Sequence, residues 1–401
     1  MATWSTLSEA QRLLGVQAQT IYAYASRGRI GVSPDPSDPR KSLYRTEDLS
    51  ALVRKKVTGR KRETLAASTI FGAEPCISTG LCAFRQGRPY YRGKDVIALA
   101  EHASLEDAAR LLWETEGMPV FSHRIGALPD LPAGRERAFV ALAMASSKGH
   151  STTGRIRKAL HAEAAQLVGY LAEAFGADND QTLPLHERLA RGWGQPEEVG
   201  QLLRRAMVLL ADHEITSSAF SARITASTGA SLPACLLTGL TTFSGPLHGD
   251  ASGRVRALFD EVERAGAHAV VDRYLSSALP IPGFGHHLYP EGDPRGAALM
   301  AVLDVPDEIR RMTDKVETLT GLKPNIDAGL ATLVARYRLP SDAAFALFAL
   351  ARSIGLLAHS IEQLNVGMVI RPRGRYTGPA IELEPELKPP TQTQTQAQPG
   401  R

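Results

Sequence analysis

Cysteine is scarce in this 401-residue chain: Cys76, Cys82 and Cys235 are an odd number without metal-ligand spacing. That excludes a disulfide framework and a thiolate zinc site, and the expected setting is a reducing cytoplasm. A zinc-protease helix is also missing, because the HisGluIleThrSer stretch at 213–217 lacks its second histidine. No internal repeat is present. No run of apolar residues looks long enough to cross a bilayer, and the first residues lack a charged-then-apolar leader, so no membrane association is expected.

What is there is ordinary in bulk and uneven in detail. Hydrophobic residues make up 43% and charged residues 22%, the proportions of a globular protein. The length allows one large domain with a small one, or two to three domains. The net charge of +4 is split: residues 1–62 carry 12 Lys and Arg against 5 Asp and Glu, the remainder 34 against 37. A basic head on a mildly acidic body suits a polyanion or an acidic surface; a solvated basic face without a partner is the other reading.

The first 58 residues read as a module of their own. Thr6 and Glu9 form a capping box that opens a helix through Leu14, a break at Gly15-Val16 follows, and a second helix begins at Gln17. That is helix-turn-helix spacing. A loop rich in Pro and Asp leads to Arg40, Lys41 and Tyr44, and a third helix is predicted from about Thr46 to Lys56. The module resembles the winged helix-turn-helix of the MerR and excisionase type. Arg27, Arg29, Arg40 and Lys41 are its candidates for phosphate contact. Residues 59–68 are a linker, 69–92 short strands and turns, and helical patterns dominate from Lys94 to about Tyr376. The Gln- and Thr-rich stretch at 383–401 is expected to be disordered.

Four segments in the second half carry the chemistry. The helix leading to AspHisGlu at 212–214 sets Leu202, Ala206, Leu209 and His213 on one face. A lone histidine there also reads as a core residue satisfied by a carbonyl. His248, in GlyProLeuHisGly at 245–249, can donate to a carbonyl oxygen that becomes an enolate. His286 and His287 follow Gly285; on an extended chain their side chains face opposite ways, so they are not expected to share a metal. Arg295 closes AspProArg nine residues on, and the intervening loop can fold it back toward His286. Asp327 lies between Pro324 and Gly329 at a helix start, so it reads as an N-cap or, in a dry pocket, as a base. Arg352 sits on an apolar stripe with Phe345, Phe348, Leu356 and His359 and no acid within a turn. Either a distant acid or a ligand carboxylate must pair with it. Arg371 belongs to an Arg-rich loop suited to an anion. No metal ligand set is present, which fits acid–base and anion-clamp chemistry on a di- or tricarboxylate.

Together these segments resemble the citrate synthase family. HisGlu…ArgIleThrAlaSerThr, GlyProLeuHisGly, GlyPheGlyHis…AspProArg, AsnIleAsp, AlaArgSerIleGlyLeuLeuAlaHis and ArgProArg…TyrThrGly occur here in the order found there, across about residues 69–382, with TyrArgGly at 91–93 also matching. The resemblance implies a mainly α fold of large and small helical domains, the small one at approximately 255–350, and an obligate dimer or larger assembly; the small winged module that precedes them replaces the family's usual N-terminal region. It implies that acetyl-CoA and oxaloacetate condense to citrate through an enol, acetyl-CoA being a substrate and no cofactor being needed. In that scheme His248 hydrogen-bonds the thioester carbonyl, Asp327 removes the methyl proton and His286 polarises the keto group. His213, Arg295 and Arg352 hold oxaloacetate, Arg371 reaches in from a partner subunit, and Lys323 is the candidate for CoA. Ser252 stands where family members usually have Asn, His287 where many bacterial members have Arg, and Glu291 where a polar or basic residue is usual. Two other readings stay open. One is a 2-methylcitrate synthase using propionyl-CoA, since one methylene shifts discrimination by only ~10–200-fold. The other is a DNA-binding regulator with a metabolite-sensing body, against which the intact acid–base set argues.

Overall fold

The computed structural model describes residues 4–14, 16–26, 28–50, 52, 77–122, 124–372 and 376–379. The expected linker at 59–68 and tail at 383–401 lie outside these, as do Arg27, His123 and the end of the third predicted helix. Two compact units are formed, one from Met1–Cys76 with Pro372–Arg401 and one from Ile77–Arg371.

In the first unit β1 (Trp4–Ser5), α1 (Leu7–Leu14), α2 (Ala18–Ser26), β2 (Val32–Asp35), β3 (Asp38–Arg45) and α3 (residues 46–50) follow one another. The capping box forms: the Thr6 amide donates to Glu9 Oε2 at 2.8 Å, and the Glu9 amide donates to Thr6 Oγ1 at 3.4 Å. β2 and β3 are an antiparallel hairpin, and β1 adds to the outer edge of β3. Ala10, Leu14, Ile21, Ile30, Tyr44 and Leu49 close a small core.

The second unit opens with a three-stranded antiparallel sheet, β4 (Cys82–Arg85), β5 (Arg88–Tyr91) and β6 (Lys94–Asp95). Helices then take over: α4 (Val96–His102), α5 (Leu105–Trp113), α6 (Arg135–Lys148), α7 (Arg157–Ala174), α8 (Leu185–Gly192), α9 (Glu197–Leu210), α10 (Ser217–Ser227) and α11 (Leu232–Phe243). α12 (Ala251–Ala265), α13 (Ala267–Ser276), α14 (Pro294–Met300), α15 (Asp307–Thr320) and α16 (Ile326–Tyr337) pack on one another before α17 (Ala343–Val366) returns to the main core. Local signals explain the starts. Ser104 and Asp107 form a reciprocal cap on α5, whose Leu105, Ala108, Ala109 and Leu112 are buried.

α17 corrects one expectation. By length and composition this 24-residue helix is apolar enough to cross a membrane, with a mean hydropathy of 1.6 over its best window. The whole of that window is buried inside the protein, so its apolar length serves as the axis of the core. α9 corrects another. It stops at Leu210 with Ala211 as its cap, so His213 lies just beyond the helix, followed by Glu214 in the left-handed region at φ 62°.

Candidate active site

The floor of the site is made where the end of α9 meets α17. His213 is 7% exposed, and its Nε2 lies 2.9 Å from the Tyr289 hydroxyl, so its partner is a phenol where a backbone carbonyl was the alternative. Its ring stands edge-on to Phe84 at 4.9 Å and to His286 at 5.5 Å. Arg352, on α17, is 1% exposed and uses its Nε to donate to the Leu210 carbonyl at 3.0 Å. Its Nη2 is buried with no hydrogen-bond partner among the described residues. Its guanidinium also lies over the Phe348 ring at 5.0 Å. A buried donor left open on a cation is costly unless an anion arrives.

One wall is the loop from Gly283 to Arg295. Gly283 and Gly285 take φ of 86° and 69°, which lets the segment run antiparallel to 323–325. The Gly285 amide donates to the Lys323 carbonyl at 2.9 Å, and the Asn325 amide to the Gly283 carbonyl at 2.8 Å. This pairing sets His286 beside the start of α16. Here the chain turns, the Tyr289 amide donating to the His286 carbonyl at 3.0 Å. His286 and His287 therefore stack at 4.8 Å and 14°; the opposite facing expected of an extended chain does not occur.

Asp293 organises the rest of that wall. It caps α14 by accepting from the Arg295 amide, pairs with Arg295 through Nε at 3.0 Å and Nη2 at 2.9 Å, and accepts from the Ile326 amide at 3.1 Å. Arg295 thus enters the site already held by a carboxylate, with its guanidinium over Tyr289 at 5.3 Å. Next to Ile326 is Asp327. The N-cap of α16 is Asn325, whose side chain accepts from the Asp327 and Ala328 amides, so the capping reading of Asp327 is overturned. Asn325 does that work and leaves the Asp327 carboxylate available; its Oδ1 is buried without a partner among the described residues.

His248 sits in the turn between α11 and α12, with Nε2 2.8 Å from Ser218 Oγ and its ring 5.1 Å from Phe243. Phe243 meets Phe348 at 4.7 Å, which connects His248 to the neighbourhood of Arg352. Lys323 is exposed, and its stem passes Gly292, where a Cβ would stand 2.9 Å from Lys323 Cδ. Arg371 is exposed at the end of the unit, and no contact of its side chain with the cluster is found among the described residues.

Burial sets the charge states. It lowers His213 well below its usual range, with Arg295 and Arg352 adding to the effect. Burial takes His248 to about 4, aided by Arg352, and His286 to about 4, aided by Arg295. Three neutral imidazoles at neutral pH are donors or acceptors for carbonyl oxygens. Burial moves Asp327 the other way, to about 6, against the opposing charge of Arg295. That is a carboxylate poised as a base close to neutrality. The set can bind a dianion, polarise two carbonyls and remove a carbon-bound proton. Among the described residues no group of three His, Cys, Asp or Glu is placed to hold a metal.

Tyr289, Asp293 and Ser218 are not legible as site residues in the sequence. Tyr289 and Asp293 lie inside the 283–295 loop motif, but nothing in their spacing marks their contacts. Ser218 is one of several hydroxyls opening α10.

Comparisons with known proteins agree on one family. The sequence model for "Citrate synthase, C-terminal domain" matches residues 72–373. "Putative citrate synthase 2" of Mycobacterium bovis is 35% identical over 185 residues, covering 43% of this chain and 50% of the relative. The chain therefore spans about half the length of the curated relatives it matches first. The crystal structure of citrate synthase from Thermotoga maritima superposes with a TM-score of 0.64 at 27% identity, over 78% of this chain and 96% of that one. A citrate synthase from Thermoplasma acidophilum, solved as a ternary complex with carboxymethyl coenzyme A and oxaloacetate, gives 0.66 at 22% identity, over 79% and 97%.

Proposed function

This chain belongs to the citrate synthase family, and from that premise we propose that it condenses acetyl-CoA with oxaloacetate and water to give citrate and CoA. One observation carries the reading: a dry cluster of three uncharged histidines and two buried arginines ends at Asp327, a carboxylate raised to about 6 with an unpartnered oxygen. His248 donates to the thioester carbonyl while Asp327 takes a methyl proton, and the enol forms. His286 donates to the keto oxygen of oxaloacetate as the enol carbon attacks. His213, Arg295 and Arg352 hold the two carboxylates, with Arg352 Nη2 as the open donor. Water then cleaves the thioester and releases CoA. No cofactor enters this scheme.

The direct test is thiol release from acetyl-CoA with and without oxaloacetate, with citrate identified as product. Release that needs oxaloacetate supports the reading, and release without it, or none with either acetyl- or propionyl-CoA, rejects it. Propionyl-CoA in the same assay decides the acyl preference. The exposed position of Arg371 supports its service to a neighbouring copy, so a homodimer is part of the proposal.

The first unit is proposed to be a winged helix-turn-helix. α2 begins four residues after α1 ends, and the β2–β3 hairpin has the form of a wing. Arg29 and Lys41 are exposed, although Lys41 pairs with Asp38 at 3.3 Å; the side chains of Arg27 and Arg40 lie outside the described residues. Duplex DNA binding that weakens steeply with salt supports a nucleic-acid role. Failure to bind any duplex at low salt leaves the unit a structural one.

A further inference from the structure

Behind the candidate site runs a line of buried polar groups of which the proposed chemistry uses only Arg352. Arg352, Gly355 and His359 follow at steps of three and four along α17, so they share one face. The segment after α9 lies against that face. The Gly355 amide donates to the Ala211 carbonyl at 3.1 Å, and a Cβ at 355 would stand 2.3 Å from Asp212 Oδ1. The Asp212 carboxylate is thus seated on bare backbone, with Arg352 one turn before it and His359 one turn after. All three side chains are sealed from solvent. Among the described residues neither Asp212 oxygen completes a hydrogen bond, nor does His359 Nε2, yet Nε2 lies 3.3 Å from Oδ1.

The position of the His359 proton follows from its other nitrogen. Nδ1 lies 3.2 Å from Arg223 Nη1, and a guanidinium only donates, so Nδ1 accepts. The proton is then on Nε2, facing Asp212. Arg223 is itself fixed: it pairs with Glu362 and donates to Gln363 Oε1 at 3.2 Å. Glu362 in turn accepts from Thr79 Oγ1 and the Gly80 amide, both at 2.8 Å. A rigid frame leads from residues 79–80 to Asp212.

We propose that Asp212 and His359 are positioning residues for Arg352: the His359 ring, with Nε2 3.3 Å from Oδ1, holds the Asp212 carboxylate over Gly355, and the buried charge so fixed, one helical turn from Arg352, steers its guanidinium toward a substrate carboxylate. Burial disfavours the charge on Arg352, and among its surroundings Asp212 is the strongest influence in the opposite direction. The inference deepens the reading above and rests on it, since the carboxylate there is that of oxaloacetate.

The test pairs calorimetric oxaloacetate binding, without acyl-CoA, with steady-state kinetics on wild type, His359→Leu, His359→Gln and Gly355→Ala. Leucine removes donor and acceptor, whereas glutamine keeps one of each. His359→Leu is expected to raise Kd and KM for oxaloacetate by ~10–100-fold, the range found for groups that orient a ligand-binding residue, while KM for acetyl-CoA stays within about twofold. His359→Gln returns most of the affinity, and Gly355→Ala, which displaces the Ala211 carbonyl and the Asp212 carboxylate together, behaves like the leucine variant. A packing role alone predicts glutamine no better than leucine, or both KM values moving together; either result overturns the proposal. If His359→Leu does not fold, Gly355→Ala with unchanged oxaloacetate affinity overturns it equally. A wild type that binds oxaloacetate but releases no thiol rejects the condensation reading alone, and Kd still decides this one. A wild type that does not bind oxaloacetate rejects both.

Discussion

Arg188 and Arg352 are buried to the same degree, at 1% exposure each, but only one has its donors used. In the corner made by α7 and α8, Arg188 Nε donates to the Asp178 carbonyl, Nη1 to the Phe121 carbonyl and Nη2 to Glu173 Oε1. At the floor of the site, among the described residues, Arg352 makes one hydrogen bond and leaves Nη2 open. The carboxylates repeat the contrast. Asp293 collects donors from Arg295 and Ile326, and although burial would raise it, Arg295 brings it below its usual value. Asp327 has a buried oxygen with none among the described residues and rises to about 6. Paired buried charge holds a structure together, whereas unpaired buried charge costs stability and marks where a ligand completes the set.

The sharpest way to break this contrast is Asp327→Asn. As the proton acceptor, Asp327 should cost ~10²–10⁴-fold in kcat when neutralised, read by thiol release. Its stability effect should run the other way. The unfolded carboxyl ionises near 3.8 and the folded one near 6, so folding is opposed increasingly between those pH values and fully above 6. Asp327→Asn should therefore stabilise the protein above pH 6, by an amount on the order of 2–3 kcal/mol, and change little below about pH 4. Thermal melts at two pH values check both halves.

The arginines come next. Arg352→Leu should weaken oxaloacetate binding by ~10²-fold or more while costing less stability than Arg188→Leu, because Asp212 keeps His359 Nε2 facing it at 3.3 Å. Arg188→Leu removes the donors to the Asp178 and Phe121 carbonyls and to Glu173, and should cost ~3–5 kcal/mol of stability, with KM for oxaloacetate unchanged in the folded fraction. Equal effects of the two on stability would dissolve the distinction.

Smaller effects sit with the histidines. His248 and His286 are held at about 4 against an ordinary 6.5, chiefly by burial. Their contribution is present above pH 6.5 and lost as pH falls toward 4, because the unfolded chain takes up the protons first. Wild type should lose stability across that window more steeply than a His248→Gln, His286→Gln double variant. Ser218→Ala, which removes only the hydroxyl beside His248 Nε2, should lower kcat by ~3–10-fold with little change in KM for oxaloacetate, since one neutral hydrogen bond contributes ~1 kcal/mol.

Much of the site is legible in the amino-acid sequence because its parts are local. His248, His286, Arg295 and Asp327 lie in short segments whose Gly and Pro residues announce unusual backbone, His213 falls on a helical apolar face, and Arg352 on an apolar stripe announces a missing partner. What spacing does not reveal depends on chain closure. Periodicity carries the helix on to His213, whereas the close seat of 211–212 on Gly355 accompanies its end at Leu210. His286 and His287 stack because a turn closes onto Tyr289, a contact no alternation rule contains. The N-cap of α16 falls to Asn325, two positions before the acid expected there. The length of α17 escapes a reading of apolar runs because these are broken by Arg352, Ser353, His359 and Ser360, all of them buried.

One measurement tests the central claim most directly: the melting temperature of wild type, Arg188→Leu and Arg352→Leu with and without saturating oxaloacetate. A ligand that binds only the folded state raises it in proportion to its binding free energy. If Arg352 is the open anion donor, oxaloacetate raises the melting temperature of wild type and of Arg188→Leu, and that of Arg352→Leu by far less, its Kd being ~10²-fold higher. An undiminished rise in Arg352→Leu would contradict the account.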